Sequence, residues 1–180
     1  GEIESSVIAI PGKNTTAHRL FTLAYPFAEK KFFLRYDEIE NFVSAGKGLG
    51  VIIHENRFTY EAKGLHKIID LGEFWENKTG VPVPLGGIVI KRSFDDSFQQ
   101  KIVKLIRKSI EFAYREYPVL NAFIISNAQE MSEEVMRKHI ELYVNSYSIS
   151  LSVNGRHAIK KMFENHSMGK FSDSEIFVGG

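Results

Sequence analysis

The stretch Gly48-Leu49-Gly50-Val51-Ile52-Ile53-His54-Glu55-Asn56 reads as a buried strand that ends abruptly in polar chemistry. Leu49, Val51, Ile52 and Ile53 form the continuous, β-branched run of a strand covered on both faces, and the glycines before them mark a turn into it. His54 falls where that strand emerges. In open α/β sheets ligands bind in the crevice outside the carboxyl ends of the strands, so an imidazole placed there faces a cleft. The competing reading is a structural or solvated histidine, the commoner fate of a histidine near a strand end.

Upstream of this stretch the chain alternates. Residues 6–10 (Ser-Val-Ile-Ala-Ile) read as a strand and Pro11-Gly12 as a turn. Asn14-Thr15-Thr16 then caps a helix that turns Leu20, Phe21 and Leu23-Ala24 inward and closes at Pro26. Residues 31–36 form the next strand, and residues 37–45 a short helix with Ile39, Phe42 and Val43 at helical spacing. Downstream of His54 the pattern predicts a linker helix over 58–63, a fourth strand over 66–71 and a helical turn over 74–78. This βαβα rhythm implies a mostly parallel sheet with helices over both faces.

The segment 81–92 breaks the rhythm, because two prolines and two glycines precede an apolar run; it reads as a hinge or crossover strand. Beyond it the pattern is helical. Phe98, Ile102, Leu105-Ile106, Ala113 and Tyr117 make one stripe, Val135-Met136, Ile140, Tyr143-Val144 and Tyr147 a second, and Ala158-Ile159 with Met162-Phe163 a third. Ser132 followed by Glu133-Glu134 suits a helix start. The expected organisation is an α/β lobe over 1–80, the crossover over 81–92, a helical region over 93–166, and a poorly ordered tail over 167–180.

Composition narrows the function classes. The 180 residues carry 23 Lys+Arg against 22 Asp+Glu, so there is no basic excess to neutralise nucleic acid or an anionic membrane. The absence of cysteine excludes disulfides, thiolate nucleophiles and Cys-ligated zinc, and suits a reducing compartment. Cytoplasm is the expected location. No apolar run approaches the ~20 residues of a membrane span, and the N-terminus lacks the order of a signal peptide. A chain that starts at Gly1 rather than Met reads as a processed chain or a piece of a longer protein.

Among the motifs, Gly46-Lys47-Gly48-Leu49-Gly50 precedes a strand instead of joining a strand to a helix, so it reads as a turn and not a phosphate loop. The six histidines are scattered without ligand spacing, and no metal is expected. Pro11-Gly12-Lys13-Asn14-Thr15-Thr16 is the stronger signal. It places backbone N–H groups and two hydroxyls at a helix N-terminus just after a strand, which makes either a plain cap or a cradle for a polar ligand. It leaves the sheet at the same edge as His54, and two polar clusters on one crevice strengthen each other as a small-molecule site.

Five motifs then carry a resemblance: Pro-Gly-x-x-Thr-Thr-Ala at 11–17, Gly-Val-Ile-Ile-His-Glu at 50–55, Asp-Leu-Gly-Glu-Phe-Trp at 70–75, Pro-Leu-Gly-Gly-Ile at 84–88, and Ala-Gln-Glu-Met with His-Ile-Glu-Leu-Tyr-Val-Asn within 128–145. Together, in this order, they resemble the 1,4-dihydroxy-6-naphthoate synthase family over about residues 6–163. The resemblance implies a lobe similar to type-II periplasmic binding proteins. It further implies a lyase that splits cyclic dehypoxanthine futalosine into 1,4-dihydroxy-6-naphthoate and dihydroxyacetone, on the futalosine route to menaquinone, without a cofactor. By the same resemblance His54 is the catalytic base and Thr15 and Thr16 bind substrate. The family's first lobe, with its Ser-Pro-x-Pro-Asn-Asp type motif, has no counterpart here, so the chain is expected to be inactive by itself. Chorismate dehydratase, a non-catalytic solute-binding protein and an inactive fragment are the alternatives.

Overall fold

The computed structural model describes residues 2–128, 132–165 and 169–179. Residues 129–131 of the Ala-Gln-Glu-Met motif, His166, and residues 167, 168 and 180 of the expected tail lie outside them. The chain divides into two compact units, Gly1–Val83 and Pro84–Gly180.

In the first unit a single turn of helix, α1 (Glu2–Ser5), leads into β1 (Ile8–Ile10), and all three residues of β1 are buried. β1 is the middle strand of a three-stranded parallel sheet, flanked by β2 (Lys31–Phe33) and β3 (Leu49–Gly50) in the order β2-β1-β3. The register pairs Ile8 with Lys31 and Leu49, and Ala9 with Phe32 and Gly50. Parallel neighbours require crossovers, and α2 (Thr16–Ala24) and α3 (Ile39–Ser44) supply them.

Side-chain alternation along β1 decides what packs where. Ile8 and Ile10 share a face and cluster with Phe21 of α2, Ala28 and Val51. Each buried Ile, Val or Phe side chain among them contributes about 1.5–3 kcal/mol. Ala9 looks the other way, beside Gly50, and both are small for a reason. A Cβ at Gly50 would stand 2.5 Å from Cγ2 of Ile39 and 2.8 Å from Cγ2 of Val43, so α3 lies close on that face. At Gly48, φ is +154° and a Cβ would come 2.3 Å from the Val7 carbonyl oxygen. Gly48 and Gly50 are therefore points of close approach, a constraint beyond the turn that the sequence predicts there.

Two expectations for this unit need correction. β1, not the strand that leads to His54, is the one covered on both faces; ladder pairing in β3 stops at Gly50 apart from the Val51 N–H donated to the Ala9 carbonyl at 2.9 Å. Nor do residues 66–71 form a fourth strand. Ile68 is 60% exposed, and Asp70 starts a helix instead: its Oδ1 accepts the Gly72 and Glu73 N–H groups at 2.8 and 3.2 Å. The apolar residues read as strand had no neighbour to pair with, and an Asp followed by Gly and Glu is a strong cap. The helix is α4 (Leu71–Thr79), which ends at left-handed Gly80, packs against α2 and buries Trp75.

The second unit is helical. It begins with residues 84–91 in neither helix nor strand, Ile88 and Val89 exposed, where a crossover strand was expected. There follow α5 (Asp96–Glu116), α6 (Ala122–Asn127), α7 (Glu133–Tyr143), α8 (Ser146–Ile149) and α9 (Val153–Glu164). Asp95, Asn121, Ser132, Asn145 and Ser152 cap them through side-chain oxygens. Gly155 is buried where a Cβ would meet Tyr147 at 2.9 Å, which lets α9 sit against α8. The tail adds a last turn, α10 (Asp173–Ile176), and a buried Phe177, where the sequence predicts little order.

Candidate functional site

Three chain segments leave the carboxyl edge of the sheet, one per strand. After β1 comes the loop to Thr15. Gly12 turns with φ +145°, and Thr15, in extended conformation, caps α2. The Thr15 hydroxyl works in both directions: it donates to the Gly12 carbonyl at 2.8 Å and accepts the His18 N–H at 3.2 Å. His18 closes the loop from the other side, its Nδ1 2.7 Å from the Lys13 carbonyl, so that nitrogen carries the proton. Its ring stands edge-on to Phe33 of β2 at 5.2 Å. The adjacent Thr16 hydroxyl has no hydrogen-bond partner among the described residues.

After β3 the chain stays extended through Ile53 and then turns sharply. His54 has φ +58° and opens a five-residue 3-10 turn, His54–Phe58. A left-handed backbone is uncommon for a residue with a Cβ and marks a position held by its surroundings. After β2 a second 3-10 turn, Tyr36–Glu38, brings Tyr36 edge-on to the His54 ring at 5.0 Å. Since β2 and β3 lie on opposite sides of β1, this contact passes over the carboxyl end of the central strand.

The connectivity gives that place its meaning. From β1 the chain moves one way to β2 and then back across to β3, so the sheet reverses direction between β1 and β3. Such a switch point leaves a crevice between the loops that follow the two strands. The Thr15–Thr16 loop and His54 are those two loops. The structure thus brings the predicted residues to one edge, and gives Thr15 the capping task that is one of the two readings of its segment.

Sequence reasoning missed Tyr36, although it ends the second strand run as His54 ends the third, and the same argument applied to both would have found it. It also missed a buried polar cluster behind His54. Glu40 of α3 is 3% exposed, and its Oε2 accepts Asn56 Nδ2 at 2.5 Å and Lys63 Nζ at 2.6 Å. Among the described residues no group of three or more His, Cys, Asp or Glu is placed to hold a metal ion, and no helix is long and apolar enough to cross a membrane.

Comparison with known proteins decides the family. Residues 1–167 match the menaquinone biosynthesis family. The chain belongs to that family. It is 35% identical over 162 residues to a 1,4-dihydroxy-6-naphthoate synthase of Thermus thermophilus, covering 89% of this chain and 59% of the relative. A protein of the same name from Streptomyces coelicolor is 34% identical over 165 residues, covering 88% and 58%. The chain therefore spans under two thirds of the length of these relatives. A crystal structure of a protein from Archaeoglobus fulgidus superposes with a TM-score of 0.85 at 27% identity, covering 92% of this chain and 63% of that one.

Proposed function

We propose that this chain is the part of a 1,4-dihydroxy-6-naphthoate synthase that carries the catalytic base, and that the full-length protein is a carbon–carbon lyase. It splits cyclic dehypoxanthine futalosine into 1,4-dihydroxy-6-naphthoate and dihydroxyacetone, in the cytoplasm and without a cofactor. The observation that carries the reading is the placement of His54 and the Thr15–Thr16 loop on the two sides of the switch point, in a chain about one third identical to two proteins of that name. The order β2-β1-β3 also supports a type-II periplasmic-binding-protein-like lobe, and the division at Val83/Pro84 supports a crossover role for residues 81–92.

Each residue has a chemical task in this reading. The His54 imidazole accepts a proton from a substrate hydroxyl or carbon, and the sugar-derived ring opens with C–C cleavage, driven by formation of an aromatic product. Tyr36 walls the ring on one side and limits its rotation. Thr16 offers its hydroxyl to a polar group of the substrate, while Thr15 holds the loop that presents it.

His54→Ala in the full-length protein tests this. A positioned general base is worth about 10²- to 10⁴-fold, so kcat falls by that factor while substrate still binds. Near-normal kcat in His54→Ala would remove the histidine from the mechanism.

A further inference from the structure

We infer that Glu40 is a positioning residue for His54, acting through Asn56; the inference rests on the reading of His54 as the base. One continuous segment, the turn Tyr36–Glu38 followed by α3, touches the His54 turn at two points. Tyr36 meets the His54 ring edge-on at 5.0 Å. Four residues on, the Glu40 carboxylate lies under the same turn, with Oε2 2.5 Å from Nδ2 of Asn56, two residues beyond His54.

The cluster is built for holding rather than for binding solvent. Glu40 is 3% exposed and Asn56 7% exposed, and Lys63 closes the group from outside with its Nζ 2.6 Å from the same Oε2. The other oxygen, Oε1, is buried and has no hydrogen-bond partner among the described residues. A carboxylate buried with one oxygen unmatched is costly to keep, and hydrophobic residues of similar size pack such positions as well or better. A carboxylate in that position calls for a role other than stability. The backbone supplies one: His54 adopts φ +58°, a conformation that persists only where the surroundings over-determine it. Asn56 fastens the turn just beyond that residue, and Glu40 fastens Asn56. The two-point clamp sets the direction of the imidazole over the end of β1.

Three variants of the full-length protein test this: Glu40→Ala, Glu40→Gln and Asn56→Ser. Two quantities are read, the nuclear Overhauser contact between the Tyr36 and His54 rings, and kcat with KM. Misplacement of a catalytic group by about 1 Å costs on the order of 100-fold in rate. Glu40→Ala is expected to lose the ring contact and to lower kcat by roughly 10- to 100-fold, with KM little changed. Glu40→Gln keeps an acceptor oxygen at the same distance and should recover most of both. Asn56→Ser severs the link while leaving the Glu40–Lys63 pair, so it reports on the same coupling should Glu40→Ala not fold.

Retention of the ring contact in a folded Glu40→Ala or Asn56→Ser protein overturns the inference. So does a lost contact with unchanged kcat, where His54→Ala is inactive. If the contact is lost but His54→Ala itself turns over normally, the coupling stands and only the assignment of the base falls.

Discussion

The two units of this chain solve the problem of burying apolar surface in opposite ways. The first places Ile8, Ile10, Ile39 and Trp75 fully out of water with short elements: strands of two or three residues and helices of nine or fewer. The second has a helix of 21 residues, α5, with no buried residue at all, and leaves Phe98, Leu105, Phe112 and Phe123 exposed. Helix length therefore does not measure core. A central parallel strand is covered on both faces by geometry, whereas an amphipathic helix is covered only where another element meets its stripe. The candidate site sits on the unit whose core is closed, which gives His54 and Thr16 a rigid frame.

The sharpest way to break this contrast is to truncate one aromatic residue in each unit. Trp75 is 0% exposed and its Nε1 donates to the Pro82 carbonyl at 3.3 Å, so Trp75→Ala removes a full side chain and an N–H partner. The expected loss is about 3–5 kcal/mol by chemical denaturation. Phe112 is 59% exposed, with the Arg115 guanidinium 5.5 Å from its ring centroid, and Phe112→Ala should cost about 0.5 kcal/mol or less. A Phe112→Ala loss as large as that of Trp75→Ala would show that something covers this face in solution, and the contrast would disappear.

Within the first unit, neighbouring threonines separate holding from binding. Thr15→Val removes both cap hydrogen bonds and should cost about 1 kcal/mol of stability. Thr16→Val leaves the cap intact and should instead raise KM in the full-length protein, by the equivalent of about 1–3 kcal/mol if its hydroxyl meets a buried polar group of the substrate. Equal effects of the two variants on KM, with stability untouched, would restore both hydroxyls to the ligand and make the capping geometry incidental.

The contrast also explains what was legible from residues alone. β1, α2 and α3 could be read because local pattern and final environment agree: Ile8 and Ile10 are apolar and buried, and Thr15 is a preferred cap and caps. The segment around Ile68 misled because an apolar run says nothing about whether a neighbour exists to pair with it, and here Asp70 captured the backbone for α4. His54 was placed at the right edge for a partly wrong reason, since its strand is short and the turn, not the strand, fixes it. Tyr36 was legible as a strand-end residue but its contact with His54, 18 residues away, was not, and Glu40 needed the fold outright, because its partner Asn56 lies 16 residues away.

The smallest effect is expected where the second unit secures its end by charge beside the buried Phe177. Asp173 of α10 accepts from Lys160 Nζ at 2.8 Å and from Arg156 at 3.4 Å, while the Arg156 guanidinium lies 4.8 Å over the Phe177 ring. The Lys160 hydrogen bond, opposed in part by desolvation, holds the Asp173 carboxyl below its ordinary range, and Ser172 does the same for Glu175 through its backbone N–H and its hydroxyl. For a depressed acid the stabilisation is fully present above the unfolded-state pKa and is lost as pH falls through the folded value. Acidification should therefore loosen α10, after correction for intrinsic exchange, as seen in faster hydrogen exchange of the Phe177 N–H that donates to the Asp173 carbonyl at 2.8 Å. Asp173→Asn at neutral pH should produce the same change, a few-fold at most because the group is solvent-accessible and screened by salt. The Val51 N–H in the sheet of the first unit should not respond. If Phe177 exchange is indifferent to acid and to Asp173→Asn alike, the end of the second unit is held by burial of Phe177 alone, and the two units differ less than their exposed surfaces imply.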